Sequence, residues 1–148
     1  MRHITVVDHD PLWAELFEKE KAVINKILGE NCLEIYHIGS TAVPGLAAKP
    51  IIDIMPVVKK LDLVDSVAFE FEKIGYEYLG EHGIKGRRFL RKGGDERTHH
   101  IHIFSVSSGY EIERHLAVRD YLREHKEKCG EYAEIKIKRL NSQSSGKG

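Results

Sequence analysis

Apolar residues recur at Trp13, Leu16, Phe17, Val23, Ile24, Ile27 and Leu28, a helical spacing that predicts one buried face. Asp10 followed by Pro11 supplies an N-cap and a preset first helical position, and Gly29 is placed to end the helix. Before it, residues 4–7 form a short β-branched run. After it, residues 33–38 and 51–58 read as strands, the second more apolar, joined by a loop at 39–48 that carries Pro44 and Gly45.

Residues 62–74 have the pattern of an amphipathic helix, with Leu63, Val67, Phe71 and Ile74 inward and Gly75 closing it. A third strand is expected at 76–79. Residues 80–94 carry Lys85, Arg87, Arg88, Arg91 and Lys92 around the apolar pair Phe89 and Leu90, which predicts a basic hairpin. Residues 99–106 alternate as a strand, and 111–140 are helical, with a break near Cys129 and Gly130. The polar, glycine- and serine-rich residues 141–148 are expected to be disordered. With no repeat and no linker in view, the order of elements predicts one α+β domain over 1–140, a mixed β-sheet with helices packed against it, followed by that tail.

Composition narrows the function classes. The 148 residues are enough to bury a core without disulfides or a structural metal. Apolar residues make up 41% and charged residues 31%, and the apolar runs are too short to cross a bilayer, so a soluble protein without membrane partners is expected. Lys plus Arg balance Asp plus Glu at 23 each, so there is no overall basic field for nucleic acid, and any anion site must be local. Cys32 and Cys129 lack the spacing of a zinc or redox motif and are expected to be reduced thiols. Asp8 and Asp10 interrupt the N-terminal apolar run too early for a signal peptide, so cytoplasmic residence is expected.

The unusual chemistry lies at 38–55. A Gly39-Ser40 turn ends one strand, and Asp53 stands amid Ile51, Ile52, Ile54 and Met55 in the next. An ionised carboxylate there needs a cation, a metal or several donors; it either serves a site or is a strand-end acid bonded to loop amides. His100 and His102 project from one side of their strand, where they can face Asp53, whereas His99 points the other way, toward solvent. Such a set suits Zn²⁺, Mn²⁺ or Fe²⁺ as ligand. It equally suits a hydrogen-bonded pair lining a cleft without metal. Lys49, leading into the Asp53 strand, can contact a phosphate, pair with Asp53, or stand as a surface lysine. His37, just before the turn, titrates near neutrality and is an acid–base candidate. Arg87 and Arg91 share one strand face while Arg88 takes the other. Arg114, Arg119 and Arg123 fall at helical spacing beside Glu111, Asp120 and Glu124, the pattern of a solvated, salt-bridged face.

His37, the run Gly39-Ser40-Thr41-Ala42-Val43-Pro44-Gly45-Leu46, Ala48-Lys49-Pro50 and Asp53 together resemble the signature of the GrpB family. The resemblance continues through Arg88-Phe89, His100 and His102, and Arg119-Asp120-Tyr121-Leu122-Arg123. It implies the nucleotidyltransferase superfamily and its DNA polymerase β type of fold. In that superfamily a Gly-Ser turn is followed by two acids one residue apart, with a third on a neighbouring strand. The resemblance therefore implies phosphate contacts at Gly39, Ser40, Thr41 and Lys49, with Arg88 and Arg119 as further phosphate-binding candidates and Asp53 as the catalytic metal-binding acid. The second acid is replaced by Met55, a soft thioether that does not bind Mg²⁺ in water.

Three functions follow as expectations. One is nucleotidyl transfer from a nucleotide, with Asp53 and His37 catalytic and Mg²⁺ or Mn²⁺ as cofactor. Another is noncatalytic binding of a nucleotide or other phosphate ligand. The third is a metal-dependent hydrolase holding Zn²⁺ or Mn²⁺ on Asp53, His100 and His102. Members of this family usually continue past the last helix, so contacts from such a segment are expected to be missing here.

Overall fold

A computed structural model describes residues 6–125. The expected second half of the 111–140 helical region, Cys129 and the 141–148 tail lie outside the described residues. Helix α1 (Leu12–Leu28) is followed by strand β1 (Cys32–Ile38), the short 3₁₀ turn Ser40–Ala42 and strand β2 (Ile52–Val58). Then come helices α2 (Leu61–Asp65) and α3 (Ala68–Lys73), strands β3 (Tyr76–Tyr78), β4 (Arg87–Lys92) and β5 (His99–Ser105), and helix α4 (Gly109–Glu124). The strands form one mixed sheet in the order β1-β2-β5-β4-β3, with only β2 and β5 parallel. The α+β expectation therefore holds.

Alternation along each strand divides the residues between two faces. One face carries Ile35, Ile54, Ile101 and Leu90, which form the main core with Trp13, Phe17, Ile24 and Leu28 of α1 and with Val64 and Phe71 of α2 and α3. The other face carries Ile38, Met55 and Phe104, packed against Ile112 and Leu116 of α4. Asp53 lies on this second face, in register with Ile38 on one side and His100 on the other.

The α1 start follows its sequence: the Asp10 carboxylate accepts from the Leu12 N–H at 2.9 Å, and the Asp10 carbonyl accepts from Trp13. Its buried stripe differs from the expected one. Leu16 and Val23 are exposed, and Glu20 is buried in the row Trp13, Phe17, Glu20, Ile24 and Leu28. Strict three- and four-residue spacing selects that row, and Glu20 is tolerated in it because Tyr76 and Lys92 donate to its carboxylate at 2.6 and 2.9 Å. His99, expected in solvent, packs edge-on against Tyr76 in the same cluster.

Two further expectations are corrected. The 62–74 helix is broken into α2 and α3: the Ser66 hydroxyl donates back to the Leu63 carbonyl and Val67 leaves helical geometry, so Leu63 and Ile74 are exposed while Val64 and Phe71 turn inward. The basic hairpin does not lie within 80–94. Its arms are β3 and β4, joined through Gly80–Gly86 turns, and the basic residues populate only the second arm.

Candidate functional site

The Gly-Ser turn begins where β1 ends. Gly39 takes φ 75° and ψ −173°, a backbone region essentially reserved for glycine, and the chain then winds through Ser40–Ala42 with Val43 N–H donating to the Ser40 carbonyl. Val43 and Leu46 pin the loop by packing against Leu122 of α4. Two arginines of α4 complete the attachment: Arg123 Nε donates to the Ala42 carbonyl at 2.9 Å and Arg119 donates to the His37 carbonyl at 3.3 Å. Of the basic stripe expected in solvent, Arg114 forms the anticipated surface ion pair with Glu111 and Arg119 pairs with Asp120, but Arg119 and Arg123 also turn inward to backbone carbonyls. Arg119, a phosphate-binding candidate from the resemblance, reaches the end of β1 beside the turn, but its guanidinium holds the His37 carbonyl and Asp120.

Beneath the turn lies a cavity of about 180 Å³ lined by Ser40, Thr41, Lys49, Ile51, Asp53 and His100. Asp53 is at its floor. Its Oδ1 is 3.1 Å from His102 Nε2 and 3.5 Å from His100 Nδ1, and its Oδ2 faces Gly39. Burial pushes the carboxyl up, yet donation from the His100 and His102 rings and attraction to them outweigh that and hold it well below the usual carboxylate range. One ligand atom from each of Asp53, His100 and His102 lies within 4.8 Å of the others, a spacing that a metal ion can bridge. The neighbouring acid position is closed: Met55 is fully buried between Ile38 and Phe104.

His37 is set behind the turn instead of in the cavity. It projects toward α1, stacks on Phe17 with ring centroids 4.7 Å apart, and donates from Nε2 to Thr41 Oγ1 at 3.0 Å. Thr41 in turn donates to the Ile51 carbonyl. Burial, with Arg119 and Arg123 nearby, pushes the imidazole down to about 4 despite the opposing pull of Asp53, so the ring is neutral at neutral pH. Its hydrogen-bonded link to the cavity lining is Thr41.

Arg88 is on the opposite face of the sheet from Asp53, where it pairs with Asp65 beside Tyr78, which also bonds that carboxylate. The side chain that reaches the site from β4 is Arg87. It is buried, lies over the Phe89 ring at 4.7 Å, and donates from its NH1 nitrogen to His102 Nδ1 at 3.2 Å. Alternation in the sequence separates Arg87 from Arg88, and the strand pairing selects between them: Phe89 is in register with His102, so the residue two before it shares their face.

Residues 3–147 match the GrpB protein family. UPF0157 protein YqkA of Bacillus subtilis (strain 168) is 42% identical over 135 residues, which cover 91% of this chain and 39% of that protein. UPF0157 protein BH1888 of Halalkalibacterium halodurans is 39% identical over 137 residues, covering 91% of this chain and 68% of that protein. This chain thus spans well under half of the first relative and about two thirds of the second. Among solved structures, conserved protein GrpB from Enterococcus faecalis superposes with a TM-score of 0.89 at 48% identity, over 97% of this chain and 86% of that one. A mutant of the Cid1 poly(U) polymerase bound to MgATP superposes with a TM-score of 0.52 at 13% identity, over 80% of this chain and 39% of that one, a likeness of fold alone. With a match that runs along nearly all its length and a solved relative of the same architecture, this chain belongs to the GrpB family.

Proposed function

We propose that this chain binds the phosphate end of a nucleotide, or of another phosphate ligand, in the cavity beneath the Gly-Ser turn. The observation that carries the reading is the meeting of Lys49 and the Ser40–Ala42 turn with a single ionised carboxylate, Asp53, across one small cavity. Backbone amides of such a turn and a lysine ammonium are the groups that receive phosphate oxygens. At about 180 Å³ the cavity is smaller than the roughly 300–1,000 Å³ that encloses a whole small molecule, so it suits a phosphate group with the rest of the ligand outside.

Asp53 would repel a bare phosphate, and its exposure to the cavity, with side chain 26% accessible, fits one hard cation shared with the ligand. Mg²⁺ arriving with the phosphate would be met by Asp53, where it would neutralise charge between carboxylate and phosphate. Among the described residues lining the cavity there is no second carboxylate, and buried Met55 fills the position where the superfamily has one. The residues therefore suit binding better than two-metal nucleotidyl transfer, which has only the shared fold in its favour.

The experiment is thermal unfolding of the protein with a panel of nucleotides, pyrophosphate and inorganic phosphate, each with Mg²⁺ or Mn²⁺, followed by an assay for nucleotide consumption. Stabilisation without turnover is the expected result; a ligand at a hundredfold excess over its Kd adds about 2.7 kcal/mol. Turnover lost in Asp53→Asn would establish catalysis at Asp53 instead, with a nucleotidylated acceptor marking transfer and free products marking hydrolysis, and silence across the whole panel would overturn both binding and transfer.

A metal-dependent hydrolase on Asp53, His100 and His102 is the second reading, favoured by the 4.8 Å spacing of their ligand atoms. Elemental analysis of purified protein tests it. Among the described residues no helix is long and apolar enough to cross a membrane. Cytoplasmic residence is our proposal from composition and from the unpaired Cys32 thiol.

A further inference from the structure

His102 meets the metal-site requirement in distance but not in hydrogen bonding. A histidine that ligates through one ring nitrogen ordinarily donates its other N–H to a carboxylate, carbonyl or water. Here the other nitrogen, Nδ1, faces the Arg87 guanidinium at 3.2 Å, and a guanidinium has five donors and no acceptor. Nδ1 must therefore present its lone pair, the ring proton resides on Nε2, and that N–H points at Asp53 Oδ1, 3.1 Å away. An Nε2 that carries a proton has no lone pair for a metal.

Arg87 is fixed in this task. It is 7% exposed, its NH2 nitrogen donates to the His82 carbonyl at 2.8 Å and its Nε to the Glu81 carbonyl at 3.3 Å, while the guanidinium lies over the Phe89 ring. These anchors leave NH1 directed at His102. Among the described residues no carboxylate is within ion-pairing distance of Arg87. A buried guanidinium without a direct counterion is costly, and the imidazole that it holds connects it to the Asp53 carboxylate.

We propose that Arg87 is a positioning residue that keeps His102 in its Nε2–H form, so that His102 orients Asp53 by donating to it and is withheld from metal coordination. In this arrangement Oδ1 of Asp53 is occupied by His102, and the second oxygen is left to the turn and the ligand. The inference rests on reading Asp53 as the carboxylate of the phosphate site, but its test observes the His102 ring in ligand-free protein and is independent of whether any nucleotide binds.

The experiment is a long-range proton–nitrogen correlation spectrum of the full chain labelled with ¹⁵N-histidine. His102→Gln identifies the His102 signals among the nine histidines. The expected wild-type spectrum has an unprotonated Nδ1 and a protonated Nε2. In Arg87→Met the Nδ1 lone pair has lost its donor and is expected to gain protonated character while Nε2–H stays on Asp53; Arg87→Lys, which can still donate, is expected to keep Nδ1 unprotonated. Titration with Zn²⁺ alone gives a second readout: Arg87→Met should bind Zn²⁺ about tenfold more tightly than wild type, Arg87→Lys, which keeps both charge and donor, should stay at the wild-type affinity, and His102→Gln in the Arg87→Met background should abolish the gain. A wild-type His102 protonated on Nδ1, or wild-type Zn²⁺ binding that is lost in His102→Gln, would overturn the proposal. If Arg87→Met fails to fold, a wild-type His102 protonated on Nδ1 would still overturn the proposal.

Discussion

Gly39 stands so close to Asp53 that a Cβ added to it would lie 2.7 Å from the carboxylate Oδ2 and 3.2 Å from the aspartate Cβ. The turn and the acid are thus one packed unit, and the glycine is required twice, by the contact and by its φ of 75°. Gly39→Ala should cost about 1–3 kcal/mol for the strained backbone alone, lowering Tm by roughly 3–10 °C. Thermal unfolding of the variant checks this. An unchanged Tm would mean that the turn is not seated on Asp53.

Lys49 and Arg88 separate two accounts of where a phosphate would be held. Lys49 lines the cavity, whereas Arg88 lies on the opposite face of the sheet with Asp65. Lys49→Met should weaken the phosphate ligand identified by the thermal panel by about 10–100-fold, the worth of one charge-assisted hydrogen bond. Arg88→Met should leave that affinity within about twofold, since surface changes away from a site are worth little. Titration calorimetry on both variants measures the difference, and the reverse order of effects would return Arg88 to the site.

Much of this was legible in the residues because strand alternation and helix spacing are local. The side-sharing of His100 and His102, the isolation of Asp53 among apolar neighbours, and the Asp10-Pro11 helix start each depend on few positions. What was not legible depends on partners distant in sequence. Glu20 reads as a surface residue until Tyr76 and Lys92 arrive from the far edge of the sheet. Arg119 and Arg123 read as a solvated stripe until the turn supplies the His37 and Ala42 carbonyls. Arg87 and Arg88 are adjacent, and only the strand order tells which of their two faces carries Asp53.

Glu20 links α1 to the sheet on the face away from the cavity, with its side chain only 11% exposed. Removing it leaves Tyr76 and Lys92 donating to nothing in a half-buried position, so Glu20→Ala should cost about 2–4 kcal/mol, less than a fully buried pair because Lys92 retains water. Burial pushes the Glu20 carboxyl up, but the Tyr76 and Lys92 hydrogen bonds and the nearby charges bring it below its ordinary value. Its stabilisation is therefore complete above that ordinary value and is lost as pH falls below it. Acid titrations of unfolding should be steeper in wild type than in Glu20→Gln, and ligand affinity should be the same in both.

His37 predicts a separate pH window. Its ordinary value of 6.5 in the unfolded chain falls to about 4 in the folded one, chiefly through burial, so between those values the unfolded chain binds the extra proton. Stability should accordingly be highest above pH 6.5 and decline as pH falls toward 4. At 1.36 kcal/mol per pH unit of displacement, this one ring accounts for a loss of about 3 kcal/mol. His37→Gln keeps a donor for Thr41 and a flat group for Phe17 but cannot titrate. Urea unfolding at steps from pH 7 to 4.5 should show the variant with a slope shallower by close to one proton, the remainder belonging to His99 and His115, whose rings burial also pushes down. Equal slopes in the two proteins would show that His37 takes up its proton as readily when folded as when unfolded, and that its stacked, neutral placement behind the turn is wrong.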